Sequence, residues 1–200
     1  LVEELALLEP YGMGNPRPVF GCRDMRPTSA DAIGAEGKHL RLALGTPEHR
    51  VAGLYWNHGE LAAVLAEESV DIAYVPSINE WQGTYSVQCM VDSILPAACE
   101  RVFPDRELLR RIYRTLGALR TPTGDISYAL PMLTRRISAA EGHISHYTLG
   151  RALDIFHELG LLELLPDGGC RMIPAEKKIE LTDAPTYRRY WEREVSGDVK

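Results

Sequence analysis

Cysteine and histidine are the residues of this sequence whose spacing would most directly indicate metal or thiol chemistry. Four cysteines stand at positions 22, 89, 99 and 170, without the C-x-x-C spacing of a zinc site. His143 and His146 have ligand spacing, but a glycine precedes them and Ser145 between them is a good helix cap. We therefore predict no metal site and interpret both histidines as loop and cap residues.

Charge is distributed unevenly along the chain. The first hundred residues hold 6 Lys and Arg against 14 Asp and Glu, a formal charge of −8, whereas the second hundred hold 16 against 14, which is +2. The basic footprint that would directly indicate nucleic-acid binding is absent. The composition, 45% apolar and 25% charged, fits one or two globular domains. Scattered cysteines favour a reducing cytoplasm, and no apolar run approaches the ~20 residues of a membrane span.

The first half of the sequence predicts a small β-domain. Residues 1–8 are typical of the end of an amphipathic helix without an initiator Met, so we expect the chain to begin inside a longer protein. A Gly- and Pro-rich linker completes residues 1–18. Strands are predicted at residues 19–27, 38–44, 52–56, 70–78 and 85–94, a loop at residues 28–37, and a helix at residues 58–68. Five strands with a helix between the third and fourth predict an OB-type β-barrel over residues 19–95.

Alternation along these strands predicts which side chains lie inside the barrel. Leu40, Leu42 and Leu44 alternate with His39 and Arg41, so the three leucines are expected in the core. The same rule places a further set inside: Trp56 with Ala52 and Leu54, and Tyr85 with Val87, Cys89 and Val91. Pro76 cannot donate a ladder hydrogen bond, so it predicts a strand edge or a bulge.

Four motifs occur in order in the first half. They are Tyr11-Gly-Met-Gly-Asn-Pro-Arg-Pro-Val-Phe20, Gly37-Lys-His-Leu-Arg-Leu42, Val70-Asp-Ile-Ala-Tyr74 and Ile78-Asn-Glu-Trp-Gln-Gly83. Together they resemble the block that follows the catalytic core in RecJ exonucleases. Tyr11 stands where that family usually has Phe, and one residue is missing between Gly37 and His39 relative to some members.

The resemblance implies a parent enzyme of the DHH phosphoesterase class. Such enzymes cleave single-stranded DNA from the 5′ end with Mn²⁺ or Mg²⁺ held by clustered Asp and His, and act in DNA repair and recombination. This sequence has no Asp-His-His triplet and no Gly-Gly-Gly-His stretch. We therefore expect no catalytic residue, no bound cofactor and no hydrolysis in this chain, which is interpreted as a C-terminal region of such an enzyme.

The resemblance also implies that the barrel helps to hold the incoming single strand. Barrels of this kind bind by base stacking and a few cationic contacts. The candidate nucleic-acid-binding residues are Lys38, His39, Arg41, Asn79, Trp81 and Gln88. Alternatives remain: Lys38 and Arg41 as solvated strand residues, Trp81 as a cover for the barrel end, and Asn79 as a turn cap. The loop at residues 12–18 is expected to hold the barrel against the catalytic core.

The second half predicts three helices and a β-hairpin, the order of a winged-helix-like domain over residues 104–200. Asp105 caps the first helix, Ser145 caps the third, and Gly160 ends the third. The second helix is predicted at residues 127–140, the hairpin at residues 161–173 with its turn at residues 166–169, and a last helix at residues 185–194.

The predicted third helix is not basic, which favours protein docking over duplex binding by this domain. The candidate partner-binding residues lie on the first helix: Arg106, Arg110, Arg111 and Arg114. They could meet an acidic peptide, such as the tail of a single-strand-binding protein, or a helicase. Two alternatives remain. The arginines could form a solvated face, and the whole chain could brace the catalytic core without binding DNA.

Overall fold

The computed structural model describes residues 1–46, 48–165, 169–175 and 179–196, with side chains to residue 192. The chain divides into two compact units, Leu1–Glu100 and Arg101–Lys200, here called the first and second unit. None of the helices within the described ranges has the length and apolar character that a membrane crossing requires.

One six-stranded sheet dominates the first unit. Its elements are α1 (Val2–Ala6), β1 (Phe20–Met25), β2 (Ser29–Ile33), β3 (His39–Gly45), β4 (Arg50–Tyr55), α2 (Ala62–Leu65), β5 (Val70–Trp81) and β6 (Thr84–Pro96). The strand order is β1-β5-β6-β4-β3-β2, and each neighbouring pair is antiparallel except β4 and β6. α2 follows a 3₁₀ turn at Gly59–Leu61, so the predicted helix at 58–68 is shorter than expected.

The observed sheet differs from the predicted five-stranded, OB-type barrel in its number of strands and in its closure. The small, polar segment expected to be a loop contains β2, which pairs with β3 from Ser29 opposite Ala43 to Ile33 opposite His39. Pairing to a well-formed neighbour overrides weak strand propensity. β1 and β2 occupy the two edges of the sheet and are joined only through residues 26–28, so the sheet is not closed by hydrogen bonds.

The core of the first unit lies under one face of this sheet. Leu40, Leu42 and Leu44 are buried there as predicted, together with Val64 and Leu65 from the helical segment. The inward face predicted for β4 was wrong. In the observed register Leu44 lies opposite Val51, so Val51, Gly53 and Tyr55 face inward. Trp56 therefore lies outside the core, with 49% of its surface exposed.

β5 and β6 form a hairpin that extends beyond this core. Near its base Cys89 and Val91 are buried as predicted, and Ile72 is buried as well. β1 pairs with β5 only as far as Tyr74, so among the described strands Pro76 has only β6 as a neighbour, which confirms the predicted edge position. The placement of Tyr85 and Val87 inside was wrong: they are 68% and 50% exposed, because the core does not reach the outer half of the hairpin.

The second unit packs helices against a three-stranded sheet. Its elements are α3 (Arg106–Leu119), β7 (Asp125–Ile126), α4 (Leu130–Glu141), α5 (His146–Glu158), β8 (Leu162–Leu164), β9 (Cys170–Met172) and α6 (Pro185–Ser196), with sheet order β7-β9-β8. Its apolar core includes Ile112, Leu116, Leu149, Ile155 and Phe156.

Local signals in the second half predicted the ends of its helices well. The Asp105 carboxylate accepts from Leu108 N at 2.7 Å, and Ser145 Oγ accepts from Thr148 N at 3.1 Å. Gly160 follows α5 with φ 69°. The second helix begins at Leu130, three residues later than predicted, and residues 125–126 before it form β7 against β9. The hairpin of β8 and β9 is confirmed, whereas residues 166–168 of its predicted turn lie outside the described residues.

Candidate nucleic-acid interface

The face of the sheet that points away from the core, here called the outer face, carries most of the predicted binding residues. Because Leu40 and Leu42 point inward, His39 and Arg41 of β3 point outward. Arg41 pairs with Leu54, and Leu54 pairs with Met90, which fixes one row across the face. Ala43, Ala52, Gln88 and Ser77 form the next row, so Gln88 belongs to the same face.

The hairpin of β5 and β6 extends the outer face. From Gln88 and Ser77 the alternation places Asn79 and Trp81 on this face, and Ile78, Tyr85 and Val87 on the opposite one. Trp81 is 70% exposed and pairs with Thr84 across a two-residue turn, Gln82-Gly83, in which both residues have positive φ. A glycine at the second position relieves the steric cost of that turn.

Lys38 lies at one end of the outer face, directly before β3. Its position depends on a close approach between two backbone segments: a Cβ at Gly59 would lie 1.8 Å from the carbonyl oxygen of Gly37, and Gly59 N donates to Lys38 O at 3.1 Å. The crossing of these two segments therefore requires a glycine at position 59. Both Lys38 and Arg41 are exposed, and Asp31 faces Arg41 from β2.

The structure brings the six predicted residues together on or at the end of one face, in two groups. Lys38, His39 and Arg41 lie at β3, while Gln88, Asn79 and Trp81 follow the hairpin. β4 lies between β3 and β6, so these strands are about 10 Å apart at the usual spacing between neighbours. The face can therefore contact an extended ligand at several points, with a flat aromatic ring at the hairpin tip.

Trp56 is the residue of this face that the sequence pattern missed. Its indole meets the His39 ring edge-on, with 4.7 Å between centroids and 81° between planes. Asn57 N donates to His39 Nδ1 at 3.1 Å, which holds the imidazole in place. Both faces of β4 carry apolar side chains, so alternation alone could not orient it. The register with β3, which sets Leu44 opposite Val51, is what orients β4.

The segment before the sheet folds back on itself. Tyr11 donates its hydroxyl to Leu5 O at 2.6 Å, and the Asn15 side-chain amide donates to Leu8 O at 2.8 Å and to Pro10 O at 3.0 Å. The Arg17 guanidinium lies 5.3 Å from the centroid of the Tyr11 ring. The motif rich in Gly and Pro is thus an ordered loop attached to α1.

The predicted partner-binding arginines of α3 are not equivalent. Arg111 donates from Nε to Glu141 Oε2 at 2.8 Å and also bonds the Glu141 carbonyl, so its charge is engaged within the second unit. Hydrogen bonds from Thr115 and Arg111 lower the pKa of the Glu141 carboxyl. Arg106, Arg110 and Arg114 are exposed along one side of α3, with a rise of about 6 Å per four residues.

These three arginines border a groove of about 780 Å³ within the second unit. Apolar side chains form much of its floor, including Leu109, Tyr113, Leu161, Met172 and Leu181. Arg120 lines the groove as well. Among the described lining residues, Glu107 is the single acidic one. The groove thus combines an apolar floor with a cationic rim, which suits an acidic ligand with an apolar side chain.

Two of the cysteine thiols are buried, and burial raises the pKa of both. Burial raises the pKa of the Cys170 thiol to about 11 and also raises the pKa of Cys89, so neither is prone to form a thiolate. All four cysteines are free. Within the part of the chain that the structure describes, no three His, Cys, Asp or Glu side chains group as metal ligands would.

Comparison with known proteins shows what the first unit is similar to. The family model of the RecJ OB domain matches residues 1–93. The single-stranded-DNA-specific exonuclease RecJ of Thermus thermophilus is 44% identical over 99 residues, which cover 48% of this chain and 13% of that protein. Residues 1–93, just under half of the chain, are therefore similar to the RecJ OB domain family.

Two solved structures are also similar. Thermus thermophilus RecJ in complex with Mn²⁺ is 36% identical over 46% of this chain and 13% of that one, with a TM-score of 0.39. The complex of the same protein with Mg²⁺ is 33% identical over 57% of this chain and 18% of that one. Its TM-score is also 0.39. The chain thus spans less than a fifth of the length of the relatives that it matches.

Proposed function

We propose that this chain is a DNA-gripping and partner-docking part of a RecJ-like 5′→3′ single-stranded-DNA exonuclease of DNA repair and recombination. The family match at residues 1–93 carries this proposal. Hydrolysis is assigned to a catalytic core outside these 200 residues, where Mn²⁺ or Mg²⁺ would stabilise the attacking and leaving oxygens. The four free cysteines support a reducing, cytoplasmic location.

The outer face is the part of the first unit that suits a single strand. Trp81 offers an exposed ring for stacking, and Lys38 and Arg41 offer positive charge for the phosphates. Asn79 and Gln88 add hydrogen-bonding groups between these points. The formal charge of −8 on the first hundred residues favours the alternative, in which the domain braces the catalytic core without holding DNA.

A titration with labelled oligo-dT at low salt separates these alternatives. The grip proposal predicts salt-sensitive binding that Trp81→Ala weakens by about 1–3 kcal/mol, the usual contribution of one stacked base. Tyr85→Ala is the matched control, because Tyr85 is similarly exposed on the opposite face of the hairpin. No binding at tens of micromolar, or equal losses in both variants, favours the bracing role.

The proposed division of labour also predicts an inactive chain. With Mn²⁺ or Mg²⁺ present, single-stranded DNA should remain intact after incubation with the purified protein. Nuclease activity that survives repurification would contradict the assignment of hydrolysis to a core outside this chain.

For the second unit we propose a winged-helix-like domain that docks an acidic partner. The order helix, strand, helix, helix, strand, strand supports this class. α5 carries Arg151 beside Asp154 at 2.9 Å, and Glu158 near its end, so it is poorly suited to a DNA groove. The groove beside Arg106, Arg110 and Arg114 suits an acidic peptide, such as the tail of a single-strand-binding protein, or an acidic segment of a helicase.

Fluorescence anisotropy with a labelled acidic peptide tests this docking. Replacing Arg106, Arg110 and Arg114 together by Ala should abolish measurable binding, since three charge-assisted contacts are lost. Arg135→Ala is the control, because Arg135 is an exposed arginine on α4 outside the groove. If both proteins bind the peptide like the unmodified chain, the arginines of α3 form only a solvated face.

A further inference from the structure

Trp56 stands on the outer face in a geometry that suits a nucleobase. Half of its surface is exposed, yet its ring is held on one side by the edge-on contact with His39. An exposed indole that is already fixed loses little conformational freedom when a ligand stacks on it. The amphipathic indole is therefore prepared for a flat aromatic ligand.

The orientation of His39 is itself determined by its surroundings. Its Nδ1 accepts from Asn57 N, and Asn57 has a positive φ of 64° that turns the chain sharply after Trp56. A Cβ at Gly34 would lie 2.9 Å from His39 Cδ2, so the backbone at Gly34 lies close against the imidazole. His39 thus contacts both the turn at Asn57 and the indole of Trp56, and it serves as a positioning residue for Trp56.

Positive charge lies close to this indole in spite of the acidic first unit. Arg41 is two residues from His39 on the same face, about 7 Å along the strand, and Lys38 directly precedes His39. Arg50 lies at the other end of β4, about 20 Å along the strand from Trp56. Half of the six basic residues in the first hundred are therefore on or beside β3 and β4. A phosphate next to a base on Trp56 would have a cation within reach.

Trp56 and Trp81 lie towards opposite ends of the outer face. β4 and β6 are parallel with Ala52 opposite Gln88, so Trp56 is four residues beyond this row and Thr84, which pairs with Trp81, is four residues before it. Eight residues of strand span about 26 Å. Such a distance suits a single strand that contacts the face at several nucleotides, within the ~4–16 nucleotides usual for one OB fold.

We propose that Trp56 is a second base-stacking residue for single-stranded DNA, held by His39 and assisted by the neighbouring Arg41 and Lys38. This inference rests on the proposed DNA grip of the first unit. It extends that grip from the hairpin tip to the far end of β4. The site would take any base, because every base has a stacking face and no sequence-reading group is required.

Binding of the full 200-residue chain to an oligo-dT of about twenty nucleotides tests the inference. Trp56→Ala should raise the Kd about 5- to 100-fold, and Trp56→Phe should retain most of the affinity because a ring remains. Tyr85→Ala, an exposed aromatic of the opposite face, should bind like the unmodified chain. A thermal melt of each variant confirms that the fold persists.

A spectroscopic measurement keeps the proposal testable if Trp56→Ala fails to fold. The chain has three tryptophans, so Trp81→Phe with Trp191→Phe leaves Trp56 as the sole indole. Oligo-dT should quench its fluorescence. Adding His39→Ala should lower the steady-state anisotropy of the indole and weaken the quenching, a change that a purely structural role of His39 would not require.

The outcomes separate the two proposals. If the unmodified chain binds oligo-dT but Trp56→Ala binds equally well, or the sole Trp56 indole is not quenched, Trp56 is not a stacking residue and the grip at Trp81 stands. If the unmodified chain does not bind oligo-dT at all, the proposed grip and the role of Trp56 both fall.

Discussion

The candidate surfaces of the two units are built in different ways. In the first unit, Arg41, Trp56 and Trp81 lie on the face of a sheet whose other face covers the core. In the second unit, Leu109 is both a core residue and part of the groove floor beside the arginines of α3. Binding and stability should therefore be separable in the first unit and coupled in the second.

Leu109→Ala gives the largest expected effect. Leu109 is 2% exposed, so its truncation should lower the free energy of unfolding by about 2–5 kcal/mol and weaken peptide binding at the groove. Trp81→Ala, by contrast, should change stability by no more than about 0.5 kcal/mol. Urea unfolding at fixed pH measures both. If Trp81→Ala lowered the free energy of unfolding as much as Leu109→Ala does, the hairpin tip would be packed. Binding and stability would then be coupled in both units.

Asp105→Ala should destabilise the second unit by about 1 kcal/mol, because Leu108 N loses its capping carboxylate. Since α3 carries the arginines, acidic-peptide binding should weaken as well, while oligo-dT binding stays unchanged. Asp105→Ser retains a capping oxygen and should recover most of both losses. Urea unfolding measures the stability of both variants, and fluorescence anisotropy measures their peptide binding. If Asp105→Ala also weakened oligo-dT binding, the two surfaces would not be separate.

Arg41→Ala should reduce the salt dependence of oligo-dT binding. Losing one phosphate contact lowers the slope of log K against log salt by about 0.7 for single strands. Arg110→Ala, an exposed arginine of the second unit, should leave that slope unchanged. Titrations at several salt concentrations measure the slopes. If Arg110→Ala reduced the slope as Arg41→Ala does, DNA would also contact the second unit, and the assignment of the two surfaces would need revision.

Glu141 gives the smallest effect, an acid sensitivity of the second unit. Its folded-state pKa is lowered by Thr115 and Arg111. The stabilisation is therefore fully present above the ordinary pKa of a glutamate, and is lost as pH falls through the lowered folded value. Glu141→Gln should reduce this dependence in urea melts across the acid range. Glu163→Gln, at an exposed carboxylate, is the control, and an equal effect there would show that Glu141 has no special role.

Much of the fold follows from local patterns in the sequence. The alternation of Leu40, Leu42 and Leu44 predicted the buried face of β3, and Asp105 and Ser145 predicted the starts of α3 and α5. The four ordered motifs predicted the RecJ OB domain. These signals are reliable because a cap, a strand face or a motif involves residues that are close in the chain.

Other features depended on contacts between different elements. β2 forms because β3 is available for pairing. Pro76 can lie within β5 because β1 begins opposite Tyr74, so no β1 residue requires a hydrogen bond from position 76. Arg111 could be distinguished from Arg106 and Arg110 only when α4 placed Glu141 beside it. In each case another element supplies the deciding partner, so no pattern within a single element contains the information.

The sequence by itself determined the similarity of the first half to the RecJ OB domain, the buried leucines of β3 and the caps of the main helices. Only the tertiary structure decided that Trp56 faces outward, that Tyr85 and Val87 are exposed, and that six candidate residues share one end or face of a sheet. For Trp56 the physical reason is register: both faces of β4 carry apolar side chains, and pairing with β3 determines which face is buried. For Tyr85 and Val87 the reason is the extent of the core, which does not reach the outer half of the hairpin.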